Sequence, residues 1–166
     1  MRILGVDPGL RVTGYGVIEI SDRFKLGDEI ALLEAGVVRT DDHSGIVERL
    51  KRVHDDLRDV VSELKPQVLV IEKLFAHYKH PSTAILMAHV RGVVCLLSDK
   101  KSMPIVNIAS THVKKALTGK GHAGKEQIQR MVQSYLQLKK MPEPPDVADA
   151  LAIAITYAFN YGTRRV

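Results

Sequence analysis

Residues 1–18 read MRILGVDPGLRVTGYGVI, and how this stretch is parsed decides the fold. Ile3, Leu4 and Val6 make a buried strand that carries one carboxylate, Asp7, to its end. Pro8 and Gly9 turn the chain, and Gly14 to Ile20 is expected to return as a second strand beside the first. An acid at the tip of an apolar strand is costly to bury alone. A bound cation is the partner this arrangement asks for.

Working outward, Ala31–Thr40 supplies a third strand, and the close spacing of the three predicts an antiparallel meander (Arg2–Val6, Gly14–Ile20, Ala31–Thr40). Between Ile46 and Leu64, apolar residues at Val47, Leu50, Val53, Leu57, Val60, Val61 and Leu64 recur at helical spacing, and Pro66 closes the segment. Val68–Ile71 is a short, continuously apolar run, the mark of a strand covered on both faces, and it too ends in an acid, Glu72. From Ser82 to about Asp99 a helix is apolar nearly all round, with more to bury than one sheet face can cover. Its outer face is therefore expected to form a homodimer contact. Pro104–Ile108 gives a fifth strand. Ser110 is expected to cap a short helix ending at Gly119, followed by helices at Lys125–Leu138 and Asp146–Phe159. The expectation is one α/β domain over residues 1–166: a mixed five-stranded sheet, antiparallel meander plus parallel strands, with helices on both faces. Asp7 and Glu72 end their strands where open α/β sheets keep their ligand sites.

The 166 residues suffice for a substantial core, and 45% hydrophobic with 26% charged residues is ordinary for a globular chain. Formal net charge is +5, which favours an acidic partner, nucleic acid first. Placement says more. Between Ser110 and Pro145, Lys114, Lys115, Lys120, Lys125, Arg130, Lys139 and Lys140 face only Glu126 and Glu143, an excess equal to that of the whole chain. A solvated lysine-rich face would read the same way on charge alone. One cysteine, Cys95, excludes an intrachain disulfide and is expected to be a buried, inert thiol. The N-terminus lacks the long apolar region of a signal peptide and no apolar run is long enough to span a bilayer, so a cytoplasmic enzyme or binding protein is expected.

The last helix opens Pro145-Asp-Val-Ala-Asp149. Asp146 and Asp149, three apart, share one helical face. Acids in a first turn often serve only the cap or the helix dipole. Ala148, Leu151, Ala152 and Ile155 flank Asp149, however, and tilt it toward the sheet. Two strand tips and one helical face thus offer four acids. Oxygen donors of this kind suit Mg²⁺ or Mn²⁺ ahead of Ca²⁺, and the seven histidines show no zinc-like spacing.

Asp7-Pro-Gly with Thr13-Gly-Tyr-Gly, Ile71-Glu72 with Leu74-Phe75, Ala88-His-Val-Arg91-Gly92, Val113-Lys114, and the helix opening Asp146-Val-Ala-Asp149 together resemble the RuvC family of bacterial Holliday junction resolvases. The resemblance runs over essentially the full chain, in order. It implies an RNase H-like fold, a homodimer and divalent metal, with Asp7, Glu72, Asp146 and Asp149 as the catalytic, metal-holding set. It implies further that Lys114 and Lys125 sit beside the scissile phosphate, Phe75 stacks on junction bases, and a branch-migration complex (RuvA and RuvB) is a partner. Lys115 and Lys120 extend the basic stretch expected to face DNA. The chemistry agrees: two metal ions can serve the attacking water and the leaving oxygen at once, and lysines offset charge on the phosphate. A junction of approximate two-fold symmetry suits an isologous dimer with one site per opposing strand.

Gly119–Lys125 fits the spacing of a phosphate loop but has Glu126 where Ser or Thr should hold magnesium, and it follows a helix instead of a strand. A flexible basic loop is the better reading. His77, His80 and His122 receive no role. Three rivals stay open on residues alone. An actin-like ATPase or sugar kinase would need a second domain, a DNA-binding module would need no metal, and a hybrid-cutting nuclease would share the same acids.

Overall fold

In a computed structural model, residues 1–74, 81–98 and 103–163 are described. The elements run β1 (Arg2–Asp7), β2 (Val12–Glu19), β3 (Ala31–Arg39), α1 (Ile46–Leu64), β4 (Val68–Glu72), α2 (Pro81–Leu96), β5 (Ile105–Ile108), α3 (Ser110–Thr118), α4 (Lys125–Tyr135) and α5 (Pro145–Thr163). The strands form one sheet in the order β3-β2-β1-β4-β5. β1 pairs antiparallel with β2 and parallel with β4, β2 pairs antiparallel with β3, and β4 pairs parallel with β5. The expected mixed sheet is what the chain forms, with β1 at its centre.

Alternation along the strands divides the core. Ile3 of β1, with Val68 and Val70 of β4, packs against α3, α4 and α5. Leu4 and Val6, with Leu69 and Ile71, pack against α1 and α2. Side chains two apart share a face, so Asp7 follows Ile3 and Gly5, and Glu72 follows Val68 and Val70. Parity alone puts both acids on the face covered by α5.

α1 is the amphipathic helix its spacing predicts, burying Val53, Leu57 and Val60. Glu48 accepts the Gly45 N–H at 3.1 Å at its start. Lys65, in the left-handed region with φ 47°, ends it before Pro66. α5 is the central helix. Ala148, Ala150, Ala152, Ala154 and Ala158 are fully buried along it, small enough to bring its backbone close to the sheet.

Four details depart from expectation. Ser110 is the first residue of α3, and Ala109 takes the cap position. α4 stops at Tyr135 because Gln137 turns left-handed, with φ 50°. α5 starts one residue early, since proline's fixed φ suits a first helical position, and continues to Thr163 because Gly162 packs against Phe24. Cys95 is half-buried, since it flanks rather than fills the inner face of α2. No helix among the described residues is long and apolar enough to cross a membrane.

Candidate active site

Asp7 ends the central strand and Glu72 ends its parallel neighbour. Val6 is paired with Ile71, so the two acids are the next step along adjacent strands, about 5 Å apart at the backbone. The turn behind Asp7 is tied down from three elements. Thr13 Oγ1 donates to the Gly9 carbonyl at 2.7 Å, Thr40 Oγ1 donates to the Leu10 carbonyl, and Arg49 Nη2 reaches the same oxygen at 3.3 Å. Asp7 therefore projects from a fixed base.

The helical pair arrives through glycine. Gly14 of β2 is the register partner of Asp7. A Cβ at Gly14 would stand 2.1 Å from the Asp146 carbonyl oxygen, and one at Gly5 would stand 2.2 Å from that of Ala150. No side chain fits under α5 at either point, so its first turn rests on the sheet backbone beside Asp7. Asp146 and Asp149 are brought to the strand tips by that contact.

Asp7, Glu72 and Asp149 line a cavity of about 360 Å³ together with Lys114 of α3, Lys125 of α4 and Ser110, over Val113, Ile128 and Ile153. An adjoining hollow of about 180 Å³ shares Asp7, Glu72 and Ser110 and reaches Pro8, Leu74 and Met87. Size does not mark the site. A hollow of about 680 Å³ lies at the opposite end of β1, lined by Met1, Glu19, Asp22, Asp28 and Glu29, and it holds no lysine or arginine.

Electrostatics bind the four acids into one unit. Burial, then the nearby charges of Asp149, Glu72 and Asp146, push the Asp7 carboxyl up to about 7 against a partial pull from Lys125. Glu72 is raised chiefly by burial, with a hydrogen bond from Ser110 opposing, Asp149 adding to the rise and Lys114 pulling down. Asp149 is likewise raised by burial, against Lys125 and Lys114 and with Asp146. Among the described residues none of the four acids makes an ion pair. Crowded carboxylates without a cation between them repel. Among the described residues, no three His, Cys, Asp or Glu side chains are gathered closely enough to hold a metal ion. The chemistry of the donor set nonetheless suits a hard divalent ion: all oxygen and mutually repelling, with three of the four acids lining one cavity.

This has a consequence for stability. An Asp near 3.8 when unfolded and near 7 when folded binds its proton more tightly in the native state, so stability falls as pH rises from about 4 to about 7. Asp7→Asn carries no such penalty. Without divalent ions it should be more stable than the parent at pH 8, by about 2–4 kcal/mol, and by less than half as much at pH 5. Denaturant unfolding in chelator at both values measures this, and equal slopes against pH in the two proteins would refute it.

Of the expected residues, the structure brings together Asp7, Glu72, Asp149, Lys114 and Lys125 around one cavity; Asp146 does not line it, but its charge reaches Asp7. Lys115 and Lys120 are exposed and do not line that cavity. Phe75, His77 and His80 lie outside the described residues, and His122 is exposed on the loop between α3 and α4. That loop links two helices, as the non-phosphate-loop reading requires. The residue missed was Ser110. It reads as a cap, yet its hydroxyl serves the Glu72 carboxylate. Its placement straight after the strand beside Glu72 was the only available signal.

The chain matches the family described as "Crossover junction endodeoxyribonuclease RuvC" over residues 3–157. It is 44% identical over 153 residues to the protein of that name from Rhodopirellula baltica, covering 92% of this chain and 83% of the relative. Its fold is similar to Thermus thermophilus RuvC, with TM-score 0.86 at 33% identity over 99% of this chain and 96% of that one. It is also similar to T. thermophilus RuvC in complex with Holliday junction substrate, with TM-score 0.89 at 32% identity and the same coverage. The RNase H-like architecture that the family resemblance implies is the one these structures share. Sequence, sheet topology and the acids at the strand ends agree that this chain belongs to the RuvC family.

Proposed function

We infer that this chain is an endonuclease that resolves four-way DNA junctions by hydrolysing phosphodiesters on two opposing strands. The observation that carries the reading is one cavity in which Asp7, Glu72 and Asp149 face Lys114 and Lys125, at the strand ends of a fold shared with a junction-bound RuvC. Asp7, Glu72, Asp146 and Asp149 would hold Mg²⁺ or Mn²⁺, two ions per site. Such ions supply charge for the phosphate oxygens and a water acidic enough to attack at neutral pH. Asp7 must release its proton to take part, so ion affinity should rise as pH passes about 7. Lys114 and Lys125 offset negative charge growing on the phosphate. Lys115 and Lys120, both exposed, and Phe75 are read as contacts to DNA backbone and base.

The chain works as one domain over residues 1–166 and as a homodimer. α2 leaves Ile85 58%, Leu86 40% and Leu96 77% exposed, and Ile85, His89, Gly92 and Leu96 fall on one side of it. Exposed apolar surface of this kind marks an interface, and two copies would set one site against each of two opposing strands. Leu96→Glu should leave the fold intact, since the side chain is exposed, but yield a monomer that no longer makes paired cuts. Light scattering and junction cleavage read this out, and a dimer of unchanged mass would refute the surface. A cytoplasmic location and a branch-migration complex of the RuvA and RuvB kind complete the reading.

The deciding experiment offers labelled four-way junction, linear duplex and RNA–DNA hybrid, each with magnesium or chelator. Paired nicks in the junction, dependent on magnesium, are expected. Equal cutting of the hybrid would replace the substrate, and cutting in chelator would remove the metal.

A further inference from the structure

Arg91 joins α2 to the strand ends that carry the site. Its guanidinium donates through Nη1 to the Glu72 carbonyl oxygen and through Nη2 to Asn107 Oδ1. Neither acceptor is an anion, and among the described residues Arg91 makes no ion pair. A permanent charge, half withdrawn from water, is thus spent on two neutral oxygens. Its planar fork suits that task, because two fixed acceptors can be bridged with little further loss of freedom.

The acceptors lie on neighbouring strands. Glu72 pairs with Ile108 and Ile71 with Asn107 in the parallel β4–β5 ladder. Arg91 therefore pins the last residue of β4 to β5 and both to α2, at the end of the sheet where the acids gather. α2 itself packs chiefly on α1, and Arg91 sits on its inner side, away from Ile85, His89, Gly92 and Leu96. Ser110 meanwhile holds the Glu72 carboxylate from α3. Main chain and side chain of the same acid are thus secured by different helices.

We propose that Arg91 is a positioning residue for Glu72: it fixes the backbone from which that carboxylate is presented, and so governs how tightly the acids take divalent ions, without touching DNA. The inference rests on Glu72 being an ion-holding acid. Groups that orient metal-holding side chains commonly matter by 10- to 100-fold.

The test compares Arg91→Gln, Arg91→Lys, Asn107→Ala and Glu72→Gln in the full-length chain. The readouts are Mn²⁺ binding by calorimetry without DNA, junction affinity in chelator, cleavage against magnesium concentration, and Tm. Arg91→Gln is expected to weaken Mn²⁺ binding and raise the magnesium needed for cleavage by about 10- to 100-fold, with junction affinity unchanged. Arg91→Lys, a single-point donor, should recover part of the loss, and Asn107→Ala should show a smaller loss in the same direction. Parental Mn²⁺ binding in Arg91→Gln overturns the proposal, as does a loss of junction affinity equal to the loss of cleavage. Should Arg91→Gln fail to fold, Asn107→Ala decides, because Asn107 is exposed; unchanged ion binding there overturns the proposal. Glu72→Gln separates the two levels. If it cleaves like the parent, the reading of Glu72 fails; if it is inactive while Arg91→Gln needs no more magnesium than the parent, the positioning role alone fails.

Discussion

Asp7→Asn is expected to lower junction cleavage by more than about 100-fold, since even groups that merely orient metal-holding side chains cost up to that much. Junction affinity in the absence of divalent ions should stay the same or rise. Asn has nearly the volume of Asp, so the packing of β1 beneath Gly5 and Val6 is undisturbed, and the turn held by Thr13, Thr40 and Arg49 keeps its hydrogen bonds. What is lost is one negative charge among four. Asp7 feels all three other acids, so it is the member through which the set is coupled, and an amide oxygen holds a divalent ion far less strongly. Removing a negative charge from a surface that meets phosphate relieves repulsion, which is why binding should not suffer. Gel-shift affinity in chelator and single-turnover cleavage in magnesium separate the two effects. Parental cleavage by the variant would remove Asp7 from the site and the nuclease mechanism with it.

Gly14→Ala is the second change with a large expected effect, and it touches no charged group. Its Cβ would stand 2.1 Å from the Asp146 carbonyl oxygen and 3.2 Å from the Asp146 Cβ. Backbone cannot yield as a flexible side chain can, so the first turn of α5 must lift from β2. Overpacking of this kind costs about 1–3 kcal/mol. The larger consequence is catalytic. Asp146 and Asp149 ride on that turn, and a displacement on the order of 1 Å from productive geometry is worth about 100-fold in rate. Cleavage should therefore fall by about 100-fold in a protein that still folds, as judged by Tm. Gly5→Ala meets Ala150 in the same way, one turn further along α5, and should cost more stability because it lies in the middle of the core. A Gly14→Ala protein that cleaves at the parental rate would mean that α5 does not carry part of the site.

Both predictions rest on features that differ in how openly the residues announce them. The strand ending in Asp7 and the one ending in Glu72 are legible because apolar runs bounded by turns report local conformation. Alternation then places positions 3, 5 and 7, and 68, 70 and 72, on one face. The spacing of Asp146 and Asp149 declares a shared helical face in the same way. Ser110 was legible only as a helix start. Its hydroxyl goes to Glu72 because α3 begins immediately beyond the strand next to β4, a fact about neighbours in space. Gly14 reads as a turn or strand glycine, and nothing near it in the chain reveals that the carbonyl of a residue more than a hundred positions away presses on it.

Periodicity and turn chemistry are properties of a few consecutive residues, set by sterics and by burial of one side of a segment. For that reason the residues by themselves determined the strand and helix inventory, the mixed sheet, and the identity of the acids. Which lysines face those acids, how far crowding lifts the Asp7 proton affinity, and what Ser110 holds were decided only when α3, α4 and α5 packed onto one face of the sheet, and what Arg91 holds only when α2 packed onto the other. Distances between segments far apart in the chain follow from how close two backbones can approach, and that depends on the summed volumes of side chains drawn from both.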